Sequence, residues 1–141
     1  MTKRKGSCLC GKTGFETSGE ANWVCICHCE SCRKNTASPF TAFYGVNNEA
    51  FAWIGKPPTE YHSSRGVIRY HCADCGTPMA YFNEFWPHET HFYLALLESA
   101  EVLSPQYHVH WQEKLPWVMI GDDLPKYPAG GNEDGVGSWV A

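Results

Sequence analysis

Cysteine spacing constrains this chain more than any other feature. Its eight cysteines are Cys8, Cys10, Cys25, Cys27, Cys29, Cys32, Cys72 and Cys75, which fall as C-x-C, C-x-C, C-x-x-C and C-x-x-C. Four of them share the stretch CICHCESC with His28. Pairs at such short separation are chelating units. An even count also permits disulfides, and ordinary buried thiols are a third reading. The N-terminus, MTKRKGSCLC, has basic residues with no apolar run behind them, so no secretory signal is expected. The expected compartment is then the reducing cytoplasm, where paired cysteines bind metal or do redox work. A thioredoxin-like role needs a C-x-x-C opening a helix inside a βαβ unit, and neither copy has those surroundings. Zinc is the default ion, because tetrahedral all-thiolate sites suit it, although four sulfurs also hold iron.

A length of 141 residues suits one domain with a core of its own, and 43% hydrophobic and 14% aromatic residues describe a globular chain. No run of 18 apolar residues exists to cross a membrane as a helix. The formal net charge is -4, and apart from Lys3, Arg4 and Lys5 the basic residues are scattered. That leaves no electrostatic footprint for nucleic acid.

Short runs rich in aromatic and β-branched residues predict strands at 13–17, 23–28, 39–46, 50–55, 67–72, 78–82, 90–97, 107–111 and 115–121. The helical candidate is about Glu30 to Thr36, directly after the cysteine cluster. Without a long amphipathic helix, the expected fold is mainly β, a compact antiparallel domain over 1–127. Residues 128–141, PAGGNEDGVGSWVA, read as a Gly-rich tail.

Reach limits which cysteines can share an ion. In an extended strand Cys25, Cys27 and Cys29 point to one face, but the outer two would stand about 13 Å apart at roughly 3.3 Å per residue. Two thiolates, each about 2.3 Å from one zinc, cannot span that. Either the strand bends, or Cys25 lies outside a site made by Cys27, Cys29 and Cys32. Cys72 and Cys75, in YHCADCGTPM, form a zinc-ribbon-type knuckle in which Gly76 can take a positive φ. That pair needs two further ligands, and Cys8 with Cys10 is the pair still free.

The ordered motifs GSCLCGKTGFE, CHCESCRK and RYHCADCGTPM, then P-x-x-H at Pro105 to His108, PW at Pro116–Trp117 and DDLP at Asp122 to Pro125, resemble the glutathione-dependent formaldehyde-activating enzyme family. The resemblance runs from Gly6 to about Tyr127. It implies a zinc-bound β fold of the Mss4-like or β-tent type with two Zn²⁺ per chain. The structural zinc would fall on Cys8, Cys10, Cys72 and Cys75. The second would fall on Cys27, Cys29 and Cys32, the catalytic set, with its fourth position open to substrate. Implied partners are glutathione or another small thiol and formaldehyde or another aldehyde. The reaction forms S-(hydroxymethyl)glutathione, formally a carbon–sulfur lyase step in reverse.

An open three-thiolate site accepts an incoming thiol, which zinc deprotonates at neutral pH. Three thiolates leave the site negative and weaken Lewis acidity, which favours thiol positioning over aldehyde polarisation. Cys25 is an addition to the family pattern, read as a half-buried strand thiol, with fourth ligand or redox partner of Cys27 as alternatives. His28 and His71 are expected to pack rather than catalyse, and His108 to be a satisfied structural histidine. Trp53, Trp117 and Tyr70 are expected in the core. Arg33 and Lys34 read as solvated charge, the alternative being a seat for glutathione carboxylates. A non-catalytic zinc-stabilised module that binds a small molecule or protein is the competing function, because fold does not fix activity.

Overall fold

The computed structural model describes residues 2–99 and 103–130. The strands are β1 (Lys3–Ser7), β2 (Thr13–Ser18), β3 (Trp23–Cys27), β4 (Thr41–Asn47), β5 (Phe51–Gly55), β6 (Thr59–Ser64), β7 (Val67–His71), β8 (Pro78–Asn83), β9 (Glu89–Tyr93) and β10 (Tyr107–Val109). One α-helix, α1, covers Glu30–Thr36. The fold is mainly β, as the sequence predicts, and among the described residues no helix is long and apolar enough to cross a membrane. Chain packing divides the described residues into two compact units, one drawn from 1–23 with 44–103 and the other from 24–43 with 104–141.

In the first unit β1, β2 and β5 make an antiparallel sheet, with Gly6 opposite Phe15 and Phe15 opposite Trp53. A second run, β9–β8–β7–β6, is also antiparallel where Ala80 faces Phe92 and Tyr70 faces both Ala80 and Glu60. The core between these strands is aromatic: Phe15 and Phe92 are wholly buried, 4.5 Å apart at their ring centres, and Phe51 stands edge-on to Phe92 at 4.9 Å. Trp53 is half-buried against this cluster and Tyr70, so both belong to the core margin. Such offset and edge-to-face pairs add to simple area burial.

In the second unit β10 pairs with β3 in parallel, Tyr107 opposite Cys25 and Val109 opposite Cys27. Unlike the strand pairs of the first unit, this one is parallel. His108 continues the ladder outward, its N–H donating to Pro125 O at 2.9 Å and its carbonyl accepting from Tyr127 at 2.9 Å. The DDLP segment is thereby laid beside the strand that carries His108.

Two strands escape the sequence pattern. β1 reads KRKGS and β6 reads TEYHSS, every residue of β6 being exposed. Neither has an apolar face to generate alternation, and both are held by their partners' ladders. Conversely, the run 115–121 forms no strand. Pro116 interrupts it, and Lys114 Nζ closes it into a turn by donating to Leu115 O at 3.1 Å and Val118 O at 2.7 Å. The runs 90–97 and 107–111 both end early, in 3-10 turns at Leu94–Leu96 and Trp111–Glu113. The tail from 128 lies mostly outside the described residues.

Candidate metal centre

The first unit brings Cys8, Cys10, Cys72 and Cys75 together, their sulfurs all within 4.8 Å of one another. Cys8 Sγ is 3.6 Å from Cys10 Sγ, which is 3.7 Å from Cys72 Sγ. A regular tetrahedron around Zn²⁺ at about 2.3 Å has edges of about 3.8 Å, so the spacing fits a thiophilic divalent ion. Local backbone builds it. Gly76, at φ 77, lets the 72–77 turn close with Gly76 N–H donating to Cys72 O at 3.0 Å. The amides of Asp74 and Cys75 both donate to Cys72 Sγ at 3.4 Å, and the amide of Thr13 donates to Cys8 Sγ at the same distance. Those donors favour thiolate. The Thr77 hydroxyl, 3.1 Å away, leads in pulling the Cys75 thiol down to about 5, and the Cys75 amide leads in lowering Cys72.

The second unit gathers Cys27, Cys29 and Cys32, all buried. Cys27 Sγ and Cys32 Sγ are 3.7 Å apart, again the edge of a thiolate tetrahedron. Cys27 ends β3, and Cys29 serves as the N-cap of α1, its extended backbone (φ -68, ψ 153) turning the chain so that its sulfur accepts from Cys32 N–H at 3.3 Å. Sulfur thus takes the capping place that Ser or Asp usually holds. Crowding by Cys29 and Cys32, with burial, pushes the Cys27 thiol well above its usual value. Three thiolates packed so closely are tolerable only beside a cation. Cys25 is not in this group; it is wholly buried in β3 rather than half-buried as expected.

Beside this cluster runs a chain of side chains that spacing alone did not reveal. His28 Nε2 lies 2.9 Å from His108 Nδ1, and His108 Nε2 lies 2.8 Å from Asp122 Oδ2. A carboxylate accepts only, so His108 donates from Nε2, and with a neutral His108 ring its Nδ1 accepts from His28 Nε2–H. In that arrangement His28 Nδ1 is left as a buried acceptor with no hydrogen-bond partner among the described residues. Burial first, and His108 next, hold His28 neutral, its pKa lowered to about 4. Phe40 and Trp111 enclose the two rings. His108 is satisfied at both nitrogens, and neither ring nitrogen of His28 joins the sulfur group. P-x-x-H and DDLP were visible as motifs, but their meeting at Asp122 needed the fold. His71 ends β7 half-buried.

Arg33 follows Cys32 and turns back, its Nε donating to His28 O at 3.4 Å. It lines an open groove of about 440 Å³ with Lys34, Ala37, Ser38, Pro39, Leu115 and Trp117. Trp117 is 67% exposed, against the expectation that it is core, because the turn at 115–118 carries its ring outward.

These features define a β protein with two cysteine clusters able to hold a metal ion, one of four sulfurs and one of three. The family model for glutathione-dependent formaldehyde-activating enzyme matches residues 3–113, and the chain belongs to that family. A Schizosaccharomyces pombe protein described as an uncharacterized lyase is 34% identical over an alignment of 88 positions that covers 59% of this chain. The match spans 61% of that relative's length. The fold is similar to that of a Rhodobacter sphaeroides protein solved by crystallography, with a TM-score of 0.58 and 21% identity over 72% of this chain and 91% of the other.

Proposed function

We propose that this protein is a zinc-dependent carbon–sulfur lyase that forms or breaks the S-hydroxymethyl adduct of a small thiol, glutathione first among them, with formaldehyde or another aldehyde. One observation carries the reading: four sulfurs gather in one cluster and three in the other, with Cys25 apart. Four thiolates complete a tetrahedron and belong to structure, whereas three leave a position for an incoming ligand. Membership of the family and the relative's description as a lyase support the reaction class.

Cys8, Cys10, Cys72 and Cys75 would hold the structural zinc, and Cys27, Cys29 and Cys32 the second. Zinc in the second set supplies a positive centre at which an arriving thiol is deprotonated at neutral pH. The chain's own residues do the rest. The three thiolates offset the ion's charge, so the set serves thiol positioning better than carbonyl polarisation. Cys27, Cys29 and Cys32 are all buried, which limits the access of bulk water to their sulfurs. Addition joins thiol sulfur to carbonyl carbon and leaves the thiol's proton on the former carbonyl oxygen, so no redox partner is needed. Residues 1–127 would act as one zinc domain in the cytoplasm, where the eight cysteines, none in a disulfide, stay reduced.

Zinc content and glutathione titration of wild type, Cys25→Ala and Cys27→Ala test this. Two zincs per chain are expected, with glutathione binding that survives Cys25→Ala and vanishes in Cys27→Ala. Loss of one zinc in Cys25→Ala, with no response to glutathione in any form, would instead mean two closed sites and a non-catalytic module.

A further inference from the structure

The basic run Lys3, Arg4 and Lys5 takes no part in either sulfur cluster, yet it borders a cavity of about 330 Å³ in the first unit. β1, which carries it, is an outer strand of the β1–β2–β5 sheet. Gly19 N–H donates to Thr2 O at 2.8 Å and Cys8 N–H to Thr13 O at 2.9 Å, so the even-numbered positions along β1 turn their backbone groups towards β2. Lys3 and Lys5 therefore turn theirs to the open edge. Residues 96–98 cover that edge at its far end, where Gly6 bridges Leu97 and a Cβ on Gly6 would stand 2.9 Å from Leu96 O. Glu98 N–H then donates to Lys5 O at 2.9 Å. Among the described residues, the Lys5 N–H and the Lys3 N–H meet no acceptor along this edge.

Arg4 projects from the strand face opposite the two lysines. Lys3 Nζ and Lys5 Nζ both reach Glu16, at 3.7 and 3.9 Å. Arg4 has no carboxylate within 4 Å among the described residues; its Nη1 donates to Gly19 O at 2.8 Å, and its Nε is buried without an acceptor. A guanidinium stays charged and carries donors along its whole fork, so a half-buried one with so few bonds calls for acceptors that the fold does not supply. Lysines along a sheet edge guard against stray strand pairing, which accounts for Lys3 and Lys5 as surface charge. It does not account for Arg4. The cavity lining holds three cations against one acid, Glu98, in a chain whose net charge is -4. Thr2 and Ser99 add hydroxyl groups to the lining, and the volume lies at the small end of the range for small-molecule sites.

We propose that this cavity binds a small phosphate-bearing anion: Arg4 presents its planar fork, Lys5 N–H donates from the strand edge, and the Lys3 and Lys5 ammonium groups add positive charge at the rim. Three cations suit a dianionic phosphoryl group better than a single carboxylate. The open stretch, Lys3 to Lys5, is too short to seat an added peptide strand. The site shares no residue with either sulfur cluster, so it is a second ligand site, independent of the thiol chemistry proposed above.

The probe is inorganic phosphate, titrated at fixed ionic strength into the zinc-loaded, isotope-labelled full chain while amide NMR shifts are followed. Glycerol phosphate serves as a monoester, and chloride and acetate are the controls. Saturable shifts at the Arg4 and Lys5 amides are expected with both phosphates. Arg4→Gln should weaken binding about tenfold or more, and Arg4→Lys several-fold, because the charge remains but the fork is lost. Lys3→Gln/Lys5→Gln, at exposed side chains whose loss leaves the ladder intact, should weaken it several-fold and guards against a folding defect in the Arg4 variants. Tighter binding of the monoester would identify an organophosphate as the occupant, and tighter binding of phosphate the free ion; either supports the site. The proposal is overturned if wild type shows no saturable shift, if chloride or acetate acts as strongly as phosphate, or if binding is unchanged in both Arg4→Gln and the lysine double variant.

Discussion

His108 is tied down at both ring nitrogens, and this makes Asp122 a stability residue although it sits on an exposed segment. Asp122→Ala would leave a buried Nε2–H without an acceptor, at a cost of about 1–3 kcal/mol. Denaturant unfolding of the zinc-loaded variant should show that loss, with zinc content unchanged. His91 is the corresponding buried histidine of the first unit, its Nε2 at 2.7 Å from Glu89 Oε2, which also accepts from Trp23 Nε1 at 2.9 Å. Burial lowers the His91 pKa against the pull of Glu89. Burial alone would raise Glu89, but the bonds from His91 and Trp23 reverse the sign. Both folded values lie below the unfolded ones, so both groups favour the fold at high pH. The His91 contribution is complete above about pH 6.5 and fades as pH falls below it, and the Glu89 contribution fades below about 4.5. The unfolding midpoint should therefore drop between about pH 7 and 5, with a smaller drop in His91→Gln, which keeps a donor for Glu89 and does not titrate. Neither cluster was legible beforehand, because a histidine's partners depend on which strands become neighbours.

Helix α1 shows what a short element can owe to chemistry outside its own propensity. Seven residues are too few for a helix to persist alone. It is held by the Cys29 cap, by the bonding of Arg33 to His28 O, and at its other end by Ala37 in the left-handed region (φ 55, ψ 35). A side chain there costs about 1 kcal/mol, which glycine would not incur. Ala37→Gly is expected to stabilise the protein by about 0.5 kcal/mol after glycine's greater unfolded-state entropy is allowed for, seen as a raised denaturant midpoint. The helix and most strands were legible because cysteine spacing, Gly and Pro punctuation and aromatic runs are local signals. β1 and β6 were not, since polar strands gain their conformation from a neighbour's ladder. The run at 115–121 misled for the opposite reason: its apolar residues suit a strand, yet Lys114 and Pro116 fix a turn that turns Trp117 outward.

Over the whole molecule, each compact unit carries one sulfur cluster. The first joins residues 64 apart, Cys8 and Cys72, and so ties distant chain together; the second draws all three sulfurs from one β3–α1 connection. On the proposed reading, distance along the chain separates their roles: a cross-link between remote segments would support folding, while a compact loop would present an ion to one side. Which sulfurs gather was partly legible: reach left Cys25 outside the second set unless the strand bent, and the four-sulfur set followed from the family resemblance. The groove was not, since Arg33, Lys34 and Trp117 meet only once the 115–118 turn is in place. The central claim is that one zinc is closed by four sulfurs and the other is left with three. Zinc X-ray absorption on the fully loaded chain tests it most directly. The account predicts an average below four sulfurs per zinc, rising to four when glutathione is added. Four sulfurs per zinc without any added thiol, unchanged by glutathione, would contradict it.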